Sequence, residues 1–176
     1  MEAQRYTKGI QRMKQFVEAV RYAVKGENWF GALFMALALP DICGAIETPE
    51  ASNKERYTRW FRQYLRKKYP DDFFAADDCY YFRCACLHQG VALDRKARTS
   101  YEGAIHFITP RRGVTVHLNK HGNALQMQID VFCNDICEAV EEWLATVFED
   151  ETMNGRIEEL LKIHEHRDGK ISWASQ

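Results

Sequence analysis

The chain has almost no excess charge: 24 lysines and arginines stand against 25 aspartates and glutamates, a formal net charge of −1. That balance gives no global attraction to nucleic acid, so any contact with RNA has to come from a local patch. Long hydrophobic runs are missing as well. The most apolar stretch, Trp29 to Leu39, meets Pro40 after about eleven residues, short of the roughly twenty that a membrane span needs, so it is expected as a buried helix and no membrane is expected as a partner. The opening residues Met1-Glu2-Ala3-Gln4-Arg5 lack the apolar centre and cleavage site of a signal peptide, and the expected location is the cytoplasm. The cysteines Cys43, Cys79, Cys84, Cys86, Cys133 and Cys137 are then expected as reduced thiols. No glycine-rich phosphate loop, nucleophile elbow or HExxH segment occurs, so nucleotide hydrolases, serine hydrolases and zinc proteases have no support. Nothing implies a cofactor, and no internal repeat or low-complexity segment is present.

What is present is the composition of an ordinary globular protein, 46% hydrophobic and 28% charged over 176 residues. One domain spanning 1–176 is expected, since this length supports a single substantial core. Helical spacing of Ile10, Met13, Phe16, Val17, Val20 and Val24 predicts a first helix from about Tyr6 to Lys25. A second, from about Asn28 to Leu39, is apolar all round and should be the central one. Pro40 is expected to break or kink it because proline lacks the backbone donor, with helical structure resuming through Ile42 to Ile46. The third helix, about Ser52 to Lys68, packs with Tyr57, Trp60, Phe61, Tyr64 and Leu65. Asp77 and Asp78 open a fourth, where a helix start favours acids, and Gly90 should close it with a left-handed cap.

Val91 to Gly103 reads as a connecting loop. Three runs of period two follow: Ile105 to Ile108, Val114 to Leu118, and Leu125 to Ile129, with turn residues at 110–113 and 119–122. The simplest arrangement is a three-stranded antiparallel β-meander over about 104–130. The next helix, about Val131 to Phe148, should cover its apolar face through Phe132, Ile136, Val140 and Trp143, and a short last helix precedes a polar tail. The fold class is α+β: a predominantly helical bundle with the meander inserted before the C-terminal helices, which reach about residue 165.

Two features carry candidate chemistry. From Lys54 to Lys68, seven basic residues meet one acid, Glu55, and Arg59, Arg62 and Arg66 share a face of the third helix. A solvated face is the plain reading of such a run; phosphate contact is the other. In the fourth helix Arg83 and His88 stand in an Arg, four residues, His spacing. An arginine can hold and neutralise a phosphate, and a histidine titrates near neutrality and can move protons.

This motif in a helix resembles the HEPN family of small helical bundles, many of which pair as dimers and cleave RNA without a metal. The resemblance covers the helical portion, from Tyr6 to Gly90 with part of the C-terminal helices, and leaves the meander unexplained. It implies a metal-independent endoribonuclease, or an inactive relative, in a defence or toxin-antitoxin setting. Arg83 would clamp the scissile phosphate, His88 would act at the ribose 2′-hydroxyl, and Arg59, Arg62 and Arg66 would guide RNA as part of a homodimer. Cys84 departs from the pattern, since many catalytic members carry a polar residue directly after the arginine.

Other readings stay open. Arg83 can pair with an acid such as Asp41 or Glu47 while His88 helps end its helix. The chain is then a non-catalytic module that presents a surface to a protein partner. Cys84 with His88 and Cys133 with Cys137 have helical spacings suited to zinc, but filling of buried space is the stronger reading of these cysteines, and no metal is expected.

Overall fold

The computed structural model describes residues 2–92, 105–147, 150–163, 166–167 and 170–171. Helix α1 (Glu2–Lys25) buries Met13, Val17 and Val20, one stripe at helical spacing, against α2 (Trp29–Glu47). Asn28 caps α2 by accepting from the Gly31 N–H at 3.1 Å. As its apolarity predicts, α2 is the central helix and packs against α1, α3, α5, α6 and α7. Pro40 does not end it, a correction to the expected break. Proline in a helix interior costs about 3 kcal/mol; here Pro40 and its neighbours Leu37 and Leu39 are buried among surrounding helices, and that burial outweighs the missing bond. The continuous helix is therefore 19 residues, long and apolar enough to cross a bilayer by length and composition alone. The helices packed around it explain the same apolarity.

Helix α3 (Asn53–Tyr64) starts where Ser52 accepts from the Glu55 N–H and buries Tyr57, Trp60, Phe61 and Tyr64. It stops before the expected Lys68, and residues 65–69 turn the chain into the short α4 (Asp71–Phe74). A Cβ on Gly44 would sit 2.8 Å from the Arg56 carbonyl oxygen, so α2 and α3 meet nearly backbone to backbone at this point. Helix α5 (Ala76–Gln89) begins with the Asp78 carboxylate accepting from the Ala75 N–H and ends at Gly90 in the left-handed region, φ +69°. The Gly90 and Val91 N–H groups bond back to Cys86 and Ala85, the closure expected of this glycine. The expected loop from Val91 to Gly103 lies mostly outside the described residues.

The α+β class holds, but the sheet is mixed rather than an antiparallel meander. Strand β3 (Ala124–Gln128) is central, with β1 (Ile105–Ile108) parallel on one side and β2 (Asn119–His121) antiparallel on the other. Gly122, at φ +57°, opens the two-residue turn joining β2 to β3. The alternating run Val114–Leu118 is not a strand. It crosses the end of β3 as a loop held by the Gln128 side chain, which accepts from the Val116 N–H at 3.0 Å.

Helix α6 (Ile129–Val147) covers the sheet as expected, with Phe132 stacked edge-on to Phe107 at 5.5 Å. Helix α7 (Glu151–Glu158) returns to α1 and α2: Arg12 donates to the Glu158 carbonyl and Arg156 to that of Ile46. A short antiparallel pair, β4 (His166–Arg167) and β5 (Lys170–Ile171), lies near the C-terminus.

Candidate functional site

Arg83 is turned into the protein. Its Nη2 lies 2.7 Å from Asp41 Oδ2, and Arg56 Nε lies 3.1 Å from Oδ1 of the same carboxylate. Asp41 comes from α2 one turn before Gly44, so the close approach of α2 and α3 at Gly44 is what brings Arg56 within reach. The three side chains keep only 13% (Arg83), 17% (Asp41) and 18% (Arg56) of their surface exposed. One negative group thus answers two positive ones. Burial works against the Arg83 charge, but the contact with the Cys84 sulfur and the Asp41 carboxylate outweigh it and hold the guanidinium protonated. Arg83 Nε is buried and has no hydrogen-bond partner among the described residues.

His88 is exposed near the end of α5. Five residues of helix rotate it by about 140° from Arg83, so the two side chains leave α5 on different faces and one monomer does not converge them on a single ligand. The arginine stripe is largely answered by acids of the same chain. Arg62 and Lys54 both pair with Asp77 at 2.7 Å, and Arg66 with Asp71 at 3.2 Å. Arg59 is exposed and has no ion pair among the described residues.

Comparison of the chain with protein-family models, curated proteins and solved structures gives no match.

The cysteines behave as small apolar residues: all but Cys84 are buried, and burial pushes the Cys79, Cys133 and Cys137 thiols up to about 12. Protonated thiols are poor metal ligands. Among the described residues no three of His, Cys, Asp or Glu gather as a metal site, the Cys84–His88 and Cys133–Cys137 pairs included.

Two features escaped the sequence reading. The first is a polar cluster between the 109–118 loop and α6. Asp135 accepts from Tyr69 at 2.8 Å and from Lys68 at 2.6 Å, and His117 Nε2 lies 3.9 Å from it. His117 also stands edge-on to the Tyr69 ring at 5.6 Å. Burial lowers the His117 pKa below 6.5, opposed by Asp135, the Gln128 backbone and Asp130. The unfolded chain therefore takes up this proton near pH 6.5, whereas the folded protein takes it up only at lower pH. Across that interval the unfolded state binds more protons, so the His117 contribution to stability is complete above about pH 6.5 and is lost as pH falls through the interval. Melting temperatures from pH 7.5 to 5 should show that decline. His117→Gln should flatten this part of the profile; an unchanged slope would assign the decline to other groups.

The second feature is an apolar groove of about 380 Å3 between the start of α2, the end of α5 and β1. Phe82 and Phe107, 5.4 Å apart, lie along it, and Phe30 and Phe34 stand at it edge to face. Phe30 is 77% exposed and Phe34 38%, although both are large apolar residues. The only signal for them in the sequence is that α2 is apolar on every side, which does not tell a buried face from an open one.

Proposed function

We propose that the chain is a non-catalytic protein-interaction module that binds through the apolar groove. One observation carries this reading: the groove displays an aromatic pair to solvent, while Arg83, the residue a ribonuclease would need free, is engaged by Asp41 inside the fold. Large exposed aromatic groups rimmed by polar surface mark contact sites, because covering them removes apolar area from water. Aromatic side chains also dominate the energy of protein interfaces.

A HEPN-like, metal-independent ribonuclease is the second reading, and the Asp41 cluster favours it in one respect. Two arginines on one carboxylate leave a net positive charge that a phosphate could share, with His88 exposed on the same helix. Such an enzyme would have to exchange the Arg83–Asp41 contact for Arg83–phosphate and bring in a second chain to converge the motif. The discriminating experiment is incubation of a mixed RNA pool in EDTA with the wild type and His88→Ala. The module reading expects intact RNA in both. Cleavage by the wild type that His88→Ala abolishes, with its melting temperature and oligomeric state unchanged, would overturn it and establish the nuclease.

A further inference from the structure

Residues 109–117 cross the end of the sheet as a strap between β1 and β2, and residues 111–115 are exposed, so the strap buries little of its own surface. Both of its ends are pinned. β1 pairs with β3 up to Ile108, and Lys120 of β2 donates to the Asp72 carbonyl at 2.6 Å and stands over the Phe73 ring at 4.5 Å. Between the ends, two polar attachments hold the strap among the described residues. The Val116 N–H donates to the Gln128 side chain, itself fixed by donating to Asp130 at 2.9 Å, and His117 is inserted between Tyr69 and Asp135.

The seat of His117 suits a neutral ring. Asp135 approaches Nε2 at 3.9 Å, too far for a hydrogen bond, and both of its oxygens already accept: Oδ2 from Tyr69, and Oδ1 from Lys68, which also pairs with Glu138. Nδ1 is buried and has no hydrogen-bond partner among the described residues. A neutral ring can carry its proton on Nε2 toward Asp135 and leave Nδ1 as a bare lone pair. The imidazolium has to carry a proton on Nδ1 as well, a buried charged donor without a hydrogen bond, beside a carboxylate whose charge Lys68 already answers. Asp135, Asp130 and the Gln128 backbone favour the charged ring, and burial outweighs them.

The next residue supplies a hinge. Leu118 stands at φ +49°, a left-handed conformation that a bulky side chain rarely adopts and that persists only where the surroundings impose it. The seated His117 imposes it from one side and the pairing of Asn119 in β2 from the other. Freeing His117 removes one of these two constraints.

We propose that residues 109–117 are an acid-released strap: protonation of His117 draws its ring out to water, the backbone turns at Leu118, and the sheet end over Tyr69 opens while the helices stay packed. Segments with few buried contacts open at a small fraction of the cost of unfolding, so a single protonation can shift this equilibrium. The inference goes beyond the groove and ribonuclease readings and depends on neither.

Hydrogen exchange followed by NMR on the full chain tests it, with each rate corrected for the intrinsic effect of pH. Between the titration of the seated ring and that of the free one, opening grows about tenfold per pH unit. Protection of the Val116 N–H should therefore fall by about fivefold or more from pH 7.5 to 5, while the amides of Leu37 in α2 and Val140 in α6 keep theirs. His117→Gln should hold the Val116 protection across that range. In the same wild-type spectra the His117 ring should titrate where the protection falls. Titration with protection intact would overturn the proposal, because the charged ring is then accommodated in place. So would an equal loss at Leu37 and Val140, which is global unfolding, or the same loss in His117→Gln, which would assign the opening to another group.

Discussion

Asp41→Ala should destabilise the protein by about 3 kcal/mol, measured as a drop in the urea midpoint with the slope unchanged. The change removes the carboxylate shared by two guanidiniums that keep less than a fifth of their surface in water. Breaking a buried pair by deleting one partner leaves an uncompensated charge, at about 3–5 kcal/mol, and here two charges are left facing each other. The remaining exposure of the cluster sets the expectation at the lower end. Asp41→Asn should cost less, about 2 kcal/mol, because the amide oxygen still accepts a hydrogen bond from an arginine. In the Asp41→Ala background, Arg83→Met should be nearly neutral or restorative, since it removes one of the stranded charges, and the double-mutant cycle should show coupling. Costs that simply add would mean the pair contributes nothing beyond its separate contacts. The result bears on function too. A loss of any activity in an Arg83 variant is evidence for catalysis only if the melting temperature shows that the fold survived.

How much of this was legible in the sequence depends on whether the deciding contact is local. Ser52, Asp78 and Gly90 act within a few residues of themselves, and the helix ends that they mark are where expected. The covering of the sheet by α6 followed from its apolar stripe. Strand order did not follow, because alternation says which side chains share a face and not which strand lies alongside. The alternation in Val114–Leu118 is real, but the second edge of β3 is taken by Asn119–His121, and the turn chemistry expected over 119–122 is used two residues later, at Gly122–Asn123. Pro40 shows the same division: its local cost is certain, and the packing that outweighs it comes from distant helices. At the candidate site the Arg83 spacing was visible and Asp41 was one of two acids named as its partner. Arg56 as the second partner was not visible, since it depends on how closely α3 approaches Gly44. His117 falls on the polar side of the Val114–Leu118 alternation, which predicts an outward position; the loop instead turns it toward Asp135, eighteen residues on.

Phe132→Ala is expected to have the larger effect of the two, about 4 kcal/mol, because it empties the point where sheet and bundle meet. Its fully buried ring contacts Phe107 of β1 at 5.5 Å, Tyr69 at 5.9 Å and Phe74 of α4 at 6.5 Å, all edge-on. Truncating a buried phenylalanine to alanine costs about 3–5 kcal/mol through lost transfer energy and the cavity left behind, and edge-on aromatic pairs add about 0.5–1.5 kcal/mol each. Phe132→Leu should cost about 1.5 kcal/mol, since most of the volume is kept and only the ring geometry is lost. The position of the ring also sets the wider consequences of losing it. Phe107 lies along the groove and Tyr69 stands against His117, so relaxation into the cavity should loosen both the β1 edge and the 109–118 loop. The acid-dependent decline should shrink as His117 gains water and its pKa moves back toward 6.5. If Phe132→Ala unfolds the protein outright, Phe132→Leu carries the same test at smaller amplitude. A fall in stability with the pH profile unchanged would show that the ring supports the bundle alone, and that the 109–118 loop is held in place by other contacts.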